Sequence, residues 1–336
     1  MSPDERLSVE GGGTSPRPRR WWLPVSFVIL ALSFVLAAYI GPAGTISGAN
    51  WHLIWTVRMP RVVLAALVGA MLSVAGATYQ GAFRNPLADP YLLGVAAGSG
   101  LGATIVFAFG RASTSGWIID PLPLASFIGG LTAVLVTYLI GAAFGSSRSS
   151  LTLVLAGVAV TSLVTAIQTF ILYRNNDVIR EVYSWILGRL STATWRDVKL
   201  VTPYIACSCI VLLLHRRQLD VLRVGDDEAS ALGARVGRIR LIVVVAATLG
   251  TAAAVSVSGL IGFVGIVVPH AIRMLAGSSY RRLIPLTIVL GAAFLILTDI
   301  PGRVLSNGAE TPIGVVTAFF GAPFFIVVLV RRRLAQ

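Results

Sequence analysis

The sequence predicts an all-α polytopic membrane protein, with about ten transmembrane helices in one bundle. Three observations carry that expectation. Of 336 residues, 56% are hydrophobic and 12% charged, against about 25% charged in soluble domains, and the mean hydropathy is +0.83. Ten apolar runs approach the roughly 20 residues that cross a bilayer: 24–41, 62–82, 91–110, 121–143, 151–173, 197–214, 240–258, 260–276, 283–300 and 313–330. With both termini placed in the cytoplasm, 18 of the 27 basic residues fall inside and 9 outside, the bias that orients membrane proteins during insertion. The net charge of +13 is therefore a matter of orientation, and nucleic acid is not an expected partner.

Taken in order, residues 1–20 are polar, carry GGGTSP and RPRR, and read as a disordered cytoplasmic tail; residues 21–336 read as one transmembrane domain. Run 24–41 is long for a signal-peptide core and reads as the first span. Spans two and three carry small residues every fourth position (Gly69, Ser73, Ala77, Gly81; then Gly94, Gly98, Gly102), which lets helix backbones approach closely in lipid. In span five Thr161, Thr165, Gln168 and Thr169 share one helical face. A Gln in hydrocarbon needs partners or water, so this face looks onto a neighbouring helix or into a translocation path for a polar solute. The stretch 174–199, with Asp177, Glu181 and several Arg, reads as a short surface helix near the outer mouth. Cys207 and Cys209 lie two residues apart on different helix faces and read as ordinary packing residues. Pro269, His270 and Arg273 interrupt the eighth span, and the Pro269–His270 pair has no evident chemical role.

Between spans six and seven lies a charged block, residues 215–240, with six Arg and four acidic residues. Within it Gly225-Asp226-Asp227-Glu228, then Ala229 to Leu232 and Gly233, predicts a two-turn helix. Asp226 is the expected N-cap, Asp227 and Glu228 suit the positive dipole end, and Gly233 is the expected stop. A short, punctuated helix joined directly to two spans would move them if pushed.

The residue inventory excludes most chemistry within the chain. Three His at no metal-ligand spacing (His52, His215, His270) offer no metal site, and no catalytic constellation is present. A P-loop needs Gly-Lys before Ser or Thr; the single Lys, Lys199, follows Val198. Any ATP, with its Mg, would be bound by another subunit, and no cofactor is expected here. An ion-driven carrier would more often place a carboxylate at mid-membrane, whereas Asp299 lies close to the outer end of its span and no carboxylate falls at mid-span.

Six blocks carry a resemblance: RMPR at 58–61, QGAFRNPLADPYLLGV at 80–95, LAGVA at 155–159, VGDDEASALG at 224–233, SGLIGFVGIVVPH at 258–270 and TPIGVVTAFFGAPFF at 311–325. In this order they resemble the FecCD-type permeases of ABC importers, which take up ferric siderophores, haem and cobalamin. The resemblance spans residues 51 to 333 and implies the ten-helix type II importer fold in the bacterial plasma (inner) membrane. It implies three kinds of partner: two copies of a cytoplasmic ABC ATPase, a second permease chain (a homodimer before a heterodimer) and an extracytoplasmic substrate-binding protein. Gly225, Asp226, Asp227, Glu228, Ala229, Leu232 and Gly233 match the ATPase-coupling helix. Arg58, Arg61 and Arg303 match outward-facing arginines that dock the binding protein. Asn85 and Leu87, with Ser149 and Ser150, match a cytoplasmic gate. An iron chelate is the expected cargo, with cobalamin as the sibling alternative.

Overall fold

The computed structural model describes residues 21–41, 44–45, 51–110, 120–143, 150–304 and 310–334. Helix α1 (Trp22–Tyr39) leads into a small antiparallel pair, β1 (Ile40–Gly41) with β2 (Gly44–Thr45). Helix α2 (Trp51–Leu53) continues through a π turn (Ile54–Arg58) into α3 (Met59–Ala82). Then come α4 (Val95–Phe109), α5 (Pro121–Ala143), α6 (Ser150–Arg174), the short α7 (Ile179–Ile186), α8 (Trp195–Leu214), α9 (Arg216–Leu222), α10 (Asp226–Ala231), α11 (Val236–Ser258), α12 (Val264–Ala276), α13 (Tyr280–Val304) and α14 (Ile313–Leu334). Each of the ten expected spans coincides with one helix, α1, α3 to α6, α8 and α11 to α14; seven of these are long and apolar enough to cross a membrane, while α4, α12 and the apolar part of α14 are shorter. The predicted tail, residues 1–20, lies outside the described residues.

Two spans start later than their apolar runs. Span three was expected from residue 91 and span eight from 260, but α4 begins at Val95 and α12 at Val264. The reason is backbone conformation. Gly94 holds φ at +88° and Phe263 at +68°, left-handed values that cannot lie inside a right-handed helix. Backbone groups beside these starts, and the Gly265 carbonyl that Pro269 cannot meet four residues on, are paired by two side chains. Tyr91 Oη donates to Ile261 O and accepts from Ile261 N, both at 3.1 Å. Gln80 Nε2 donates to Gly265 O at 3.0 Å and to Ala88 O at 3.3 Å. Buried peptide groups need such partners, so the α3–α4 and α11–α12 connections are pinned to each other.

Helix α3 is the axis of the bundle. It is buried along nearly its whole length and touches α13, α11, α12 and α8, whereas α1 and α6 are mostly exposed. The small-residue stripes explain this packing. A Cβ on Gly69 would collide with Gly291 of α13, one on Gly76 with the Gly265 carbonyl, and those on Gly98 and Gly102 with the α5 backbone. Because both sides of the Gly76 contact are backbone, Gly76→Val should cost at or above the top of the ~1–3 kcal/mol range for overpacking. Thermal unfolding in detergent measures this; an unshifted midpoint would contradict the close approach.

Candidate functional site

Two polar clusters sit at opposite ends of the bundle. The first is built around α10. Ala229 is fully buried and fixes one face of this six-residue helix, while Asp227, Glu228 and Leu232 face outward, Leu232 at 74% exposure. The helix stops as the sequence predicts: Gly233 takes φ +81°, Gly233 N donates to Ser230 O at 2.9 Å and Ala234 N to Ala229 O at 3.0 Å, a left-handed cap that glycine adopts at little cost. Its start differs from expectation. Gly225 occupies the N-cap position, and Asp226 makes no capping bond. Instead the Asp226 carboxylate takes a forked pair from Arg240 NH2 at 2.8 and 3.0 Å, with Arg84 3.5 Å away. A charged guanidinium outcompetes a neutral backbone N–H for that carboxylate. Arg240 Nε also donates to Ala82 O at 3.0 Å, tying α10 to the end of α3.

A second carboxylate joins the same region to α13. Asp220 of α9 accepts from Tyr280 N at 2.7 Å, Ser279 Oγ at 2.8 Å and Arg281 N at 3.3 Å. Sequence reasoning missed this residue. The only signal was a helix start at Ser279–Tyr280 with no acidic cap of its own.

At the other end, Arg61, Arg303, Asp299 and Glu310 form one network. Arg61 grips Asp299 through Nε (2.8 Å) and NH2 (2.9 Å) and reaches Glu310 through NH1 (2.6 Å). Arg303 Nε donates to the same Asp299 at 2.7 Å and its NH1 to Ala37 O at 3.0 Å. Arg58 donates to Ala38 O at 3.0 Å and Tyr39 O at 2.8 Å. The expectation of three outward-facing arginines is therefore corrected: Arg58 and Arg303 are buried and the Arg61 side chain is 11% exposed. Two demands draw them inward. The last carbonyls of α1 lack helical donors, and Asp299, itself buried, needs cations beside it. Glu310, at 30% side-chain exposure, is the accessible arm. A cavity of about 290 Å³ opens here, lined by Arg61, Glu181, Trp185, Arg189, Asp299 and Glu310 among others. Its wall includes α7, so the 174–199 stretch does contain a short helix.

The four polar residues of α6 divide. Gln168 is buried and its Nε2 donates to Thr104 Oγ1 of α4 at 3.0 Å, and Thr161 packs near Gly94. Only Thr165 and Thr169 lie exposed. Gln168 thus found a helix partner, and its side chain does not line an open path within this chain. Of the gate residues, Asn85 Oδ1 accepts from Leu87 N at 2.9 Å, and Leu87 lines a cleft with His270 and Phe324. Ser150 opens α6; Ser149 lies outside the described residues. His270 meets Phe324 edge-on at 6.0 Å, a packing role for the Pro269–His270 pair. Cys207 and Cys209 are free thiols.

In the α3–α4 connection, burial pushes the Asp89 carboxyl up from 3.8 to about 6, with the Tyr91 N–H bond opposing. Its folded value lies above the unfolded one, so stability falls as pH rises from 3.8 to about 6 and stays lower beyond. Asp89→Asn keeps an acceptor without the charge. Its melting temperature should pull ahead of wild type across that window; a constant gap from pH 4 to 8 would contradict the assignment.

Comparison with known proteins follows the same lines. The FecCD transport family matches residues 23–331. The chain belongs to the FecCD transport family. The FecCD chain is 35% identical to the hemin transport system permease protein HmuU of Yersinia pestis, over 96% of this chain and 98% of that one. It is 38% identical to the cobalamin import system permease protein BtuC of Halobacterium salinarum, over 84% and 74% of the two chains. A solved inward-facing structure described as a metal-chelate type ABC transporter superposes with a TM-score of 0.84 at 30% identity, covering 92% of this chain and 98% of that one. The ten-helix FecCD architecture expected from the sequence is thus the fold observed, with α10 and the Arg61–Asp299 network at its two ends.

Proposed function

We propose that this chain is the membrane-spanning permease subunit of an ATP-driven importer of an iron chelate, either a ferric siderophore or haem. The observation that carries the reading is α10: a six-residue helix anchored by Ala229 and the Asp226–Arg240 pair, yet presenting Asp227, Glu228 and Leu232 outward. Such a part is built to be gripped by a partner and to pass force inward. Two cytoplasmic ATPases take that role in this reading, which places α10 and both termini in the cytoplasm. The mostly exposed faces of α6 and α14, with Leu163, Phe170, Tyr173 and Phe319, receive a second copy of the chain, and Thr165 and Thr169 of α6 then look toward the path between the copies. A substrate-binding protein docks at the opposite end, where Glu310 and Arg61 border the 290 Å³ cavity. The hemin permease HmuU supports an iron chelate as cargo, and the cobalamin permease BtuC makes cobalamin the alternative outcome.

The test is reconstitution in proteoliposomes with the cognate ATPase and binding protein. Uptake of an iron chelate that needs ATP and stops with vanadate is expected. Uptake by the chain alone, driven by an ion gradient, would overturn the reading, and transport of cobalamin but no iron chelate would overturn the cargo.

A further inference from the structure

The coupling region holds more of the bundle than the two helices that flank it. Asp220 of α9 lies over the first turn of α13 and takes two backbone N–H groups and the Ser279 hydroxyl. A helix start has N–H groups without intrahelical acceptors, and a carboxylate at the positive dipole end is a strong one. One turn further on, Arg223 NH1 donates to Ser278 O at 3.0 Å. Leu219 and Leu222, both fully buried, seat α9 against the core. The joint is therefore made of directed bonds on one face and packed leucines on the other.

From this joint α13 runs 25 residues, about 1.5 Å of rise for each, to the far end of the bundle. There Asp299 and Arg303 of α13 hold Arg61 of α3. Between the two ends α3 and α13 approach backbone to backbone at Gly69 and Gly291, with Ser73 beside them. The near end of α3 is bound to the same region, through Arg240 Nε on Ala82 O and Arg240 NH2 on Asp226. Helices α3 and α13 thus form a pair clamped at one end by the coupling region and at the other by the ion network.

We propose that Asp220 is the joint through which displacement of α9 and α10 moves α13, and with it the Arg61–Asp299–Arg303 network at the opposite face. Asp220 is a positioning residue for energy coupling, and this role rests on the reading of α10 as the part an ATPase grips. Helices α3 and α13 thereby provide a direct mechanical route between the two partner surfaces. Docking at one end and nucleotide-driven movement at the other then become reciprocal effects on one pair of helices.

The experiment uses the assembled importer in proteoliposomes and reads ATP hydrolysis twice, alone and with saturating substrate-loaded binding protein. For Asp220→Ala, basal hydrolysis and co-purification of the ATPase should stay near wild type, while stimulation by the binding protein falls at least about fivefold, the lower end of ordinary coupling between sites. Asp220→Asn, which keeps one acceptor oxygen, should fall between. Should Asp220→Ala not fold, Ser279→Ala removes a single bond and should show the same split in smaller degree. Undiminished stimulation in both Asp220→Ala and Ser279→Ala overturns the proposal. So does a parallel loss of basal and stimulated hydrolysis, because a purely structural cap lowers both together. A wild-type complex that neither binds an ATPase nor responds to a binding protein overturns the underlying reading, and this one with it.

Discussion

Replacing Asp299 by Ala should lower the stability of the chain by about 3–5 kcal/mol, the cost of leaving buried charge without its partner. Asp299 is buried and is the shared acceptor for two guanidinium groups, Arg61 and Arg303. Removing it strands two cations side by side, with Glu310 reaching only Arg61. Two controls separate this from simple loss of packing. Asp299→Asn keeps the volume and one acceptor and should cost less than Ala. Combining Asp299→Ala with Arg61→Met and Arg303→Met removes the whole set, and such replacements are often close to neutral. The triple variant should therefore recover most of the loss, less what Arg303 contributes through Ala37 O. The melting temperature in detergent is the readout. If the triple variant is as unstable as Asp299→Ala alone, stranded charge is not the cause.

The same cluster shows where the sequence stopped being informative. That Arg58, Arg61 and Arg303 lie on one side of the membrane follows from the order of the apolar runs. What they face does not, because Arg61 and its acceptor Asp299 are 238 positions apart and nothing local to either announces the other. The spans themselves were legible as apolar runs, since lipid tolerates little else, even the eighth, which Pro269, His270 and Arg273 interrupt. Their starts were less so. Gly94 was legible as a small packing residue but not as one at φ +88°, and Phe263 at +68° has no sequence signal, since a bulky residue rarely takes that conformation. For Gln168 the choice between a helix partner and a path was open from composition, and Thr104 decided it. Helix α10 was the most legible part of the candidate site, because Gly225 and Gly233 punctuate it. Asp226 was still misassigned: an acidic residue at a helix start has a local use as a cap, and Arg240, 14 positions on, supplied a stronger one.

Glu228→Arg combined with Gly233→Pro should abolish co-purification of the cognate ATPase while leaving the protein inserted and folded. The two changes act on different properties of α10. Glu228 is exposed and its carboxylate lies over Gly225 at the positive end of the helix, where an arginine reverses both the dipole interaction and the sign presented to a partner. Gly233 holds φ at +81° and donates its N–H to Ser230 O; proline has neither that φ nor an N–H, so the last turn must open and Leu232 must leave its present position. Neither residue belongs to the Asp226–Arg240–Ala82 tie or to the Asp220 cap, so the anchoring of the region to α3 and α13 is untouched. The bundle should accordingly melt within a few degrees of wild type, while ATP-dependent uptake falls to background, because a gate with no grip on its motor has nothing to open it. Normal ATPase capture by the double variant would falsify the coupling assignment. Full uptake with capture lost would show transport that does not depend on this grip, and would overturn the coupling assignment too.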